Sequence, residues 1–578
     1  MRRRFKVRLR ILVGALLVIA AAIVLRLYFV QIVYGGDYSL MGERQYLSQA
    51  KTLYDRGSIF FTTKDGTLVS AATIETGFLV AIDPETLTDP QAAYAAISAA
   101  ASTTEADFMA HASKKNDPYE EIVDHVSEAA GEALAAKRLP GVLVLRDRWR
   151  TYPAGTEAAK TIGFVAYDND NTLSGRYGLE RYYDTTLTRD SGSLYRNFFA
   201  ELFANVGDLV VDARSARQGD LITTIEPEVE ARLVTDLAKV DAEYHSKSTG
   251  GIIMVPSTGE IIALGTDPTF DPNTFASGNA ADFGNPLVEH VYEFGSIMKS
   301  LTMASGLDAG VITPDTTYKD SACITVDSAT ICNWDLKAHG TIPMQQILSQ
   351  SLNVGASWVA TELGPEKFRS YFTALQFGEP TGVDLPAETH GLVGNLSSPR
   401  QLEYDTASFG QGIAITPFEM IRALGTLAND GAMVRPHIVK AIRLDSGVTR
   451  PLDWSGTLQV FKPQTVAEVT KMLTVVASTA LAHGADRMPD MSFAVKTGTA
   501  QLTKPGGGYY TNRFFHSFFG YFPSYAPRFI ILLYTNDPQG VEYASQTLTS
   551  TYLDLMHFLI DYYQIPPDGT ATTTLNRQ

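Results

Sequence analysis

Apolar positions along this chain follow different spacings, and each spacing predicts a different kind of element. Residues 11–34 are almost continuously apolar, and a helix of that length measures about 36 Å, enough to cross a bilayer core of ~30 Å. Short apolar runs, such as Phe529–Tyr534, predict buried strands. Helical spacing or a high alanine content predicts helices at 92–101, 120–138 and 547–563. The sequence therefore predicts a membrane helix followed by an α+β body.

The pattern of strands and helices changes at Gly219. After it, predicted strands bracket a helix that Pro227 opens. These strands lie at 221–225, 251–255, 260–264, 493–499, 517–522 and 529–534. We therefore divide the chain into a cytoplasmic basic segment, a transmembrane helix, a first outer domain, a second outer domain and a flexible tail, with bounds 1–10, 11–34, 35–218, 219–563 and 564–578.

Charge indicates the orientation in the membrane. Six of the first ten residues are basic and none is acidic, whereas the whole chain has 47 Lys and Arg, 63 Asp and Glu, and a net charge of −16. Because basic residues stay on the cytoplasmic side, we expect a single-pass protein of the cytoplasmic (inner) membrane whose body lies outside the cytoplasm. A signal peptide cleaved near Ala20–Ala22 is the alternative, and it also exports the body. The acidic body argues against nucleic-acid binding.

Cys323 and Cys332 are the two cysteines of the sequence. β-Branched residues flank Asp327-Ser328 between them, which predicts a hairpin with a two-residue loop. Cysteines that face each other across such a hairpin can form a disulfide, and an oxidising compartment permits the bond. Two free thiols on paired strands are the alternative. The spacing suits no zinc site, and we expect no metal.

Three short strings carry the chemistry that the sequence offers. They are Ser296-Ile297-Met298-Lys299, Ser351-Leu352-Asn353 and Lys496-Thr497-Gly498-Thr499. Each string alone occurs by chance in long chains. The ordered set S-x-x-K, S-x-N and K-T-G, however, is typical of penicillin-binding proteins and serine β-lactamases. Together the strings can make a serine that is acylated without a histidine.

The residue types fit nucleophilic catalysis. Ser296 and Lys299 lie three positions apart, so a helix places them on one face, where a neutral lysine can take the serine proton. Burial beside a second cation, Lys496, would lower the pKa of Lys299. Ser351 can relay a proton, and Asn353 can orient Lys299 and a substrate amide.

We expect the strand at 493–499 to form one side of the active-site cleft. Gly498 would leave room for a substrate backbone, and the backbone N–H groups of Ser296 and Thr499 could form an oxyanion hole. The sequence has no G-x-S-x-G elbow, no Walker A loop and no H-E-x-x-H pair, and we expect no cofactor. We interpret His516 as a packing or cleft-edge residue rather than a catalytic one.

The chain resembles class B penicillin-binding proteins over nearly its whole length. Besides the three strings, the resemblance rests on Arg56–Ile59, Tyr152–Gly155, Tyr177–Glu180, Ser257–Ala263, Glu293–Ser296, Gly410–Gly412, Thr416-Pro417 and Asn536–Pro538. It implies an elongated, mixed, non-catalytic pedestal (a dimerisation-like domain) at 35–218. It also implies a β-lactamase-like serine transpeptidase domain at 219–563, with an antiparallel sheet flanked by helices.

The resemblance implies an acyl-serine D,D-transpeptidase that cross-links the stem peptides of peptidoglycan strands made from lipid II, and that β-lactams inhibit by acylation. Ser296 would be the nucleophile and Lys299 its base. The implied catalytic residues are Ser296, Lys299, Ser351, Asn353 and Lys496, and the implied substrate-binding residues are Thr497, Gly498 and Thr499. No glycosyltransferase segment is apparent before residue 219, which assigns polymerisation to another protein.

Some positions depart from the family pattern. Phe294 stands where the family usually has proline, Leu352 stands where serine is common, and 60–66 lacks the usual Asp-Arg pair. The last departure leaves the partners of the pedestal open.

The branch of the family and two other classes of function also stay open. Leu307–Gly310 and Thr381–Pro386 favour the septal, division-type enzymes, whereas Pro268–Asn273 is closer to the elongation type. A septal role implies a polytopic glycosyltransferase and the division complex as partners. The alternatives are a β-lactamase-like hydrolase or β-lactam sensor, which would need a water-activating group, and a catalytically silent scaffold.

Overall fold

The computed structural model describes residues 55–114, 116–167, 173–189, 218–479, 481 and 491–568. The basic segment predicted at 1–10 and the membrane helix predicted at 11–34 lie outside these residues. No helix within the described ranges is long and apolar enough to cross a bilayer. The chain divides into two compact units: the first contains Ile74–Thr151, and the second contains Gly57–Thr73, Tyr152–Arg189 and the described residues from 218 onward.

The first unit has strands and helices around a core of its own. Strand Glu120–Ser127 pairs antiparallel with residues 77–82 of the long strand Leu68–Ile82, which Val142–Thr151 also joins. The helices are Pro90–Ser98, Glu105–Ala112 and Glu128–Ala136. Each begins at a side-chain cap, and the caps are Asp89, Thr104 and Ser127. The core includes Phe78, Val80, Ile97, Phe108 and Leu134.

The prediction of one helix over 120–138 is wrong in its first part. Glu120–Ser127 is a strand, and the helix begins at Glu128. The strand contains the β-branched residues Ile122, Val123 and Val126, whereas the alanines follow Glu128. Pairing with a neighbouring strand decides the structure of such a segment more than its average propensity does. The other alanine-rich segment, predicted as a helix at 92–101, overlaps helix Pro90–Ser98, which begins two residues earlier and ends three residues earlier than predicted.

Five antiparallel strands form the central sheet of the second unit. Their order across the sheet is Ala494–Thr503, Tyr509–Phe522, Phe529–Asn536, Ser248–Met254 and Ile261–Asp267. The longer helices that pack against these strands are Pro227–Tyr244, Pro417–Gly425, Pro463–Thr479 and Thr549–Tyr563. The predicted α+β class, with an antiparallel sheet and helices packed on it, is confirmed for the described residues.

A further group of paired strands explains why residues 57–73 belong to the second unit. Ile59–Thr62 pairs antiparallel with residues 68–72 and parallel with Gly219–Thr223. Val439–Leu444 then pairs with Gly219–Thr223 and with Thr449–Pro451. The sequence analysis groups 57–73 and 152–189 with the first outer domain, 35–218, and the compact units divide the chain differently. Pairing with strands more than a hundred residues away accounts for this difference for 57–73, and local pattern carries no information about such partners.

Smaller elements complete the second unit. Its remaining strand pairs are Thr317–Asp320 with Gly340–Pro343, Cys323–Val326 with Ala329–Cys332, Ala432–Met433 with Leu458–Gln459, and Val165–Tyr167 with Leu173–Gly175. The remaining α-helices among its described residues are Ala159–Ile162, Gly178–Tyr182, Asp184–Leu187, Pro286–Glu289, Met298–Asp308, Met344–Ser349, Asn353–Ala374, Gln401–Ser408 and Ala544–Thr547. Helix Asn353–Ala374 is interrupted at Gly364, whose φ is 71°.

The start of the predicted tail is anchored. Ile565 is buried, and the Asp568 carboxylate accepts a hydrogen bond from the backbone N–H of Ser492 at 2.7 Å. The prediction of a flexible tail is therefore corrected for residues 564–568, because an apolar side chain and a carboxylate hold them to the body. Residues 569–578 lie outside the described ranges.

Candidate active site

Ser296 lies in the turn that opens helix Met298–Asp308. The turn, Gly295–Ile297, is a short 3-10 segment, and Gly295 has a φ of 64°, a value that favours glycine. Lys299 follows one helical turn later, and its Nζ donates a hydrogen bond to Ser296 Oγ at 2.9 Å. The structure thus brings the predicted nucleophile and base into contact.

The second string meets the same amine. Lys299 Nζ donates to the Ser351 carbonyl oxygen at 2.7 Å and to Asn353 Oδ1 at 2.8 Å, and it lies 3.3 Å from Ser351 Oγ. Ser351 has a φ of 56°, a left-handed conformation that non-glycine residues adopt rarely. Such strain persists only where surrounding contacts hold it, and it is concentrated at functional sites.

The third string completes the arrangement. Lys496, on strand Ala494–Thr503, donates from Nζ to Ser351 Oγ at 3.1 Å and to the Thr497 carbonyl oxygen at 2.9 Å. The Ser351 hydroxyl therefore lies between the two lysine amines. All three strings, which are far apart in sequence, meet in one site.

Burial controls the charge of both lysines. Lys299 is 1 % exposed and Lys496 is 2 % exposed, and the hydrogen-bond partners that the structure gives their amines are neutral oxygen atoms. Burial lowers the pKa of Lys299 well below its ordinary value, and the nearby Lys496 lowers that pKa further. Burial also lowers the pKa of Lys496, to about 7. A neutral Lys299 amine can accept the proton of the serine hydroxyl.

A cleft of about 570 Å³ opens over these groups. The predicted residues that line it are Ser296, Ser351, Asn353, Lys496, Thr497 and Thr499. Residues that sequence reasoning did not assign to the site also line it, among them Trp334, Leu336, Gln411, Glu542 and Tyr543. The available signals were weak: Trp334 follows the cysteine hairpin, and Gln411 lies between two glycines.

Trp334 forms part of the rim of the cleft. Its side chain is largely exposed, its Nε1 donates to the Gln350 carbonyl oxygen at 2.8 Å, and its ring meets that of Tyr543 edge to face at 5.5 Å between centroids. Gln350 precedes Ser351, so this hydrogen bond from Trp334 helps to hold the backbone next to Ser351, the residue that contacts both lysines. The exposed Trp334 ring and the half-buried Tyr543 ring also offer apolar surface to a ligand.

The interpretation of Gly498 as room for a substrate backbone is not what the structure indicates. A Cβ on Gly498 would lie 2.3 Å from Ser517 Oγ, 2.5 Å from the Phe294 carbonyl oxygen and 3.1 Å from the Ile297 nitrogen. The missing side chain therefore faces the turn that carries Ser296. The glycine is needed because the strand and that turn approach each other closely.

Thr497 and Thr499 lie two positions apart on the strand, so their side chains project from the same side of it. Both line the cleft. Thr499 Oγ1 accepts the N–H of Ala544 at 3.1 Å, at the start of the short helix Ala544–Thr547. This contact fixes the orientation of one predicted substrate-binding hydroxyl.

The cysteine hairpin has the predicted geometry. Cys323 faces Cys332, the loop is Asp327-Ser328 with φ values of 46° and 69°, and the two sulfur atoms are bonded at 2.10 Å. Positive φ at both loop residues is typical of a tight hairpin turn. The Cys332 carbonyl oxygen accepts the Asn353 Nδ2 hydrogen at 3.0 Å, so the hairpin supports the amide that contacts Lys299.

His516 packs away from the cleft. Its ring nitrogens lie 3.0 Å from Thr547 Oγ1 and 3.0 Å from the Glu542 carbonyl oxygen, and it is fully buried. Burial lowers the pKa of His516 to about 4, so the ring is neutral at physiological pH. This agrees with the packing interpretation.

Comparisons with known proteins agree with this geometry. Residues 249–557 match the penicillin binding protein transpeptidase domain, and residues 54–198 match the penicillin-binding protein dimerisation domain. Stage V sporulation protein D of Bacillus subtilis is 27 % identical over 526 residues, which cover 89 % of this chain and 79 % of that protein. Peptidoglycan D,D-transpeptidase FtsI of Escherichia coli is 24 % identical over 443 residues, which cover 76 % and 71 %.

Solved structures share the fold. Penicillin binding protein 3 of Mycobacterium tuberculosis, complexed with aztreonam, matches with a TM-score of 0.67 at 21 % identity, covering 89 % of this chain and 98 % of that one. Penicillin binding protein 2X of Streptococcus thermophilus matches with a TM-score of 0.72 at 20 % identity, covering 91 % and 82 %. Because the transpeptidase match spans more than half of the chain, this chain belongs to the penicillin-binding protein transpeptidase family.

Proposed function

We propose that this chain is a serine D,D-transpeptidase that cross-links peptidoglycan stem peptides during cell-wall synthesis. The observation that carries the proposal is the contact of Lys299 Nζ with Ser296 Oγ at 2.9 Å inside a cleft that also contains Lys496. The names of relatives such as the Escherichia coli peptidoglycan D,D-transpeptidase give the same reaction. Ser296 is the nucleophile.

Acylation begins with proton transfer. The neutral Lys299 amine takes the Ser296 proton, and Ser296 Oγ forms a bond to the carbonyl carbon of the penultimate D-alanine. The backbone N–H groups of Ser296 and Thr499 stabilise the oxyanion. The peptide C–N bond then breaks, and the terminal D-alanine leaves with a proton that Lys299 returns, with the Ser351 hydroxyl as a relay between the amines.

The open side of the cleft binds the substrate. The terminal carboxylate of the donor stem is held by Lys496 in its protonated form and by the hydroxyls of Thr497 and Thr499. Asn353 orients Lys299 and contacts a substrate amide. Gly498 contributes by letting the strand lie against the turn of Ser296, which sets the distance between the carboxylate site and the nucleophile.

Transfer completes the reaction. The amine of a second stem peptide attacks the acyl ester, a new amide bond forms, and Ser296 Oγ regains a proton through Lys299. A β-lactam resembles the D-Ala-D-Ala end, and its opened ring stays attached to Ser296. One neighbour in fold, penicillin binding protein 3 of Mycobacterium tuberculosis, is solved in complex with aztreonam, which supports this part of the proposal.

The sequence and the names of relatives support a proposal for the cellular setting. A helix at 11–34 would anchor the chain in the cytoplasmic membrane, with the pedestal at 35–218 and the catalytic domain at 219–563 outside the cytoplasm. Several relatives carry the name FtsI, which supports a septal role over an elongation role. A polytopic glycosyltransferase of the division complex would then supply the glycan strands.

Fluorescent penicillin labelling of Ser296→Ala tests this function. The wild type should form a stable adduct that mass spectrometry locates at Ser296, and the variant should form none, because the nucleophile is gone. Ser300→Ala is the matched control, since Ser300 is a buried serine on the helix that follows the Ser296 turn, and its hydroxyl has no hydrogen-bond partner. It should label normally.

Other results would contradict the assignment. If Ser296→Ala still forms the covalent adduct, Ser296 is not the nucleophile. Fast turnover of nitrocefin by the wild type would instead favour the β-lactamase-like hydrolase, and absence of labelling in the wild type would favour the silent scaffold.

A further inference from the structure

Glu293 joins segments that meet at the turn of the nucleophile. Its Oε1 accepts the backbone N–H of Gly412 at 3.0 Å and the hydroxyl of Tyr509 at 3.1 Å. Its other oxygen is enclosed and has no hydrogen-bond partner. The carboxyl group thus links the stretch before Ser296 to two segments that are distant in sequence.

Both linked segments lead to the catalytic cleft. Gly410, two residues before Gly412, accepts the N–H of Gly295 at 3.1 Å, and Gln411 between these glycines lines the cleft. Tyr509 begins the strand Tyr509–Phe522, which pairs with the strand that carries Lys496 and Thr499. One carboxyl group therefore influences two walls of the site.

We propose that Glu293 is a positioning residue for acylation, whose ionised carboxylate holds Gln411 and the Lys496–Thr499 strand in place against Ser296. The inference rests on the proposed transpeptidase function and adds a control of that site. The carboxylate acts through the hydrogen bonds to Gly412 and Tyr509 rather than on the substrate.

Protonation of Glu293 should weaken this link. Hydrogen bonds to an ionised acceptor are stronger than those to a neutral one. Burial raises the pKa of Glu293 to about 7, so the group changes charge near neutral pH. Glu293 also borders a second cavity, which Tyr292, Gly412 and Phe515 help to line. Tyr509 donates to the Glu293 carboxylate, and among the described residues that line this second cavity only Tyr292 and Glu293 are ionisable. The positioning is therefore lost as pH falls through about 7.

The test measures the second-order rate constant of acylation by a penicillin methyl ester from pH 5.5 to 8.5, because the ester lacks the carboxylate whose binding to Lys496 also changes near pH 7. Glu293→Gln keeps the shape and removes the charge, so at pH 8 it should be acylated about tenfold more slowly than the wild type. Its profile should also lose the increase in rate that accompanies ionisation near pH 7. Tyr509→Phe removes one donor to the carboxylate, so it should shift that increase to higher pH.

Stability separates positioning from a merely structural role. A carboxyl whose pKa is raised by folding destabilises the folded state once it is ionised, that is, as pH rises toward 7 and above. Glu293→Gln should therefore melt no lower than the wild type at pH 8 while reacting more slowly. A structural role predicts the reverse: a lower melting temperature with an unchanged pH profile.

Glu230→Gln is the matched control. Glu230 is also buried, accepts a backbone N–H from Leu264 at 2.8 Å and has its pKa raised by burial to about 8, but it does not line the catalytic cleft. It should leave the acylation profile unchanged. Wild-type rates and profiles in both Glu293→Gln and Tyr509→Phe would overturn the inference and leave the proposed function intact, whereas a wild type that penicillin never acylates would overturn the proposed function itself.

Discussion

The two buried lysines of the cleft differ in what surrounds their amines. Four oxygen atoms lie within 3.3 Å of Lys299 Nζ, on Ser296, Ser351 and Asn353. Lys496 Nζ has two such partners, on Ser351 and Thr497. A lysine amine has at most three N–H groups, so the protein saturates Lys299 and leaves Lys496 able to bind an additional oxygen. The two lysines are almost equally buried, but their different hydrogen-bond partners suit them to different roles in the site.

Their positions in the fold explain the difference. Lys299 lies inside helix Met298–Asp308, where Ser351 and Asn353 close over it. Lys496 lies on the strand at the end of the central sheet, whose free side borders the cleft. A saturated amine with a lowered pKa suits a base for Ser296, and a partly free amine suits recognition of an anion.

Replacing each lysine with alanine should give the largest effects on the acylation rate constant. Lys299→Ala should lower the acylation rate constant by more than about a thousandfold, because the base is lost. Lys496→Ala should lower it by about a hundredfold, mainly through weaker binding of carboxylate-bearing β-lactams. Stopped-flow acylation at several penicillin concentrations separates the rate from the binding constant.

Lys471→Ala is the control for removing a lysine, since Lys471 is exposed and pairs with Glu468 at 2.8 Å on helix Pro463–Thr479. It should behave as the wild type. Equal losses for Lys299→Ala and Lys496→Ala, with the same split between rate and binding, would contradict the division of tasks.

Gly498→Ala tests the distance between the two lysine regions. The new Cβ would lie 2.5 Å from the Phe294 carbonyl oxygen, and a backbone atom can move only with its turn. The strand and the Ser296 turn should separate, with a loss of about a hundredfold in acylation. Gly394→Ala is the control, because nothing lies within 4 Å of its added Cβ. Normal acylation of Gly498→Ala would show that this spacing is not critical.

The pH dependence of binding gives the smallest expected effect. Lys496 binds a carboxylate as an ammonium, and its lowered pKa of about 7 means that the charged fraction falls as pH rises through neutrality. Affinity for a carboxylate-bearing β-lactam should fall by about tenfold between pH 6 and pH 8. Lys496→Arg stays charged and should remove this fall. The methyl ester of the same β-lactam should bind independently of pH. An identical decline for the ester would contradict the role of Lys496 in binding the carboxylate.

The sequence alone predicted contacts between functional residues that lie close together in the chain. Ser296 and Lys299 share a helical turn, and the cysteines face each other across a two-residue loop, because helix and hairpin geometry fix such short spacings. The unbroken apolar run at 529–534 likewise predicted a strand, which the structure has at Phe529–Asn536. The error at 120–138 arose where strand pairing outweighed composition.

Long-range packing decided the rest. The sequence contained the three strings, but only the fold placed the Ser351 hydroxyl between two amines, turned Gly498 toward the Ser296 turn and linked Glu293 to Tyr509. The charges of Lys299 and Lys496 depend on how completely other segments exclude water from them. That exclusion belongs to the assembled second unit, and no short stretch of sequence contains it.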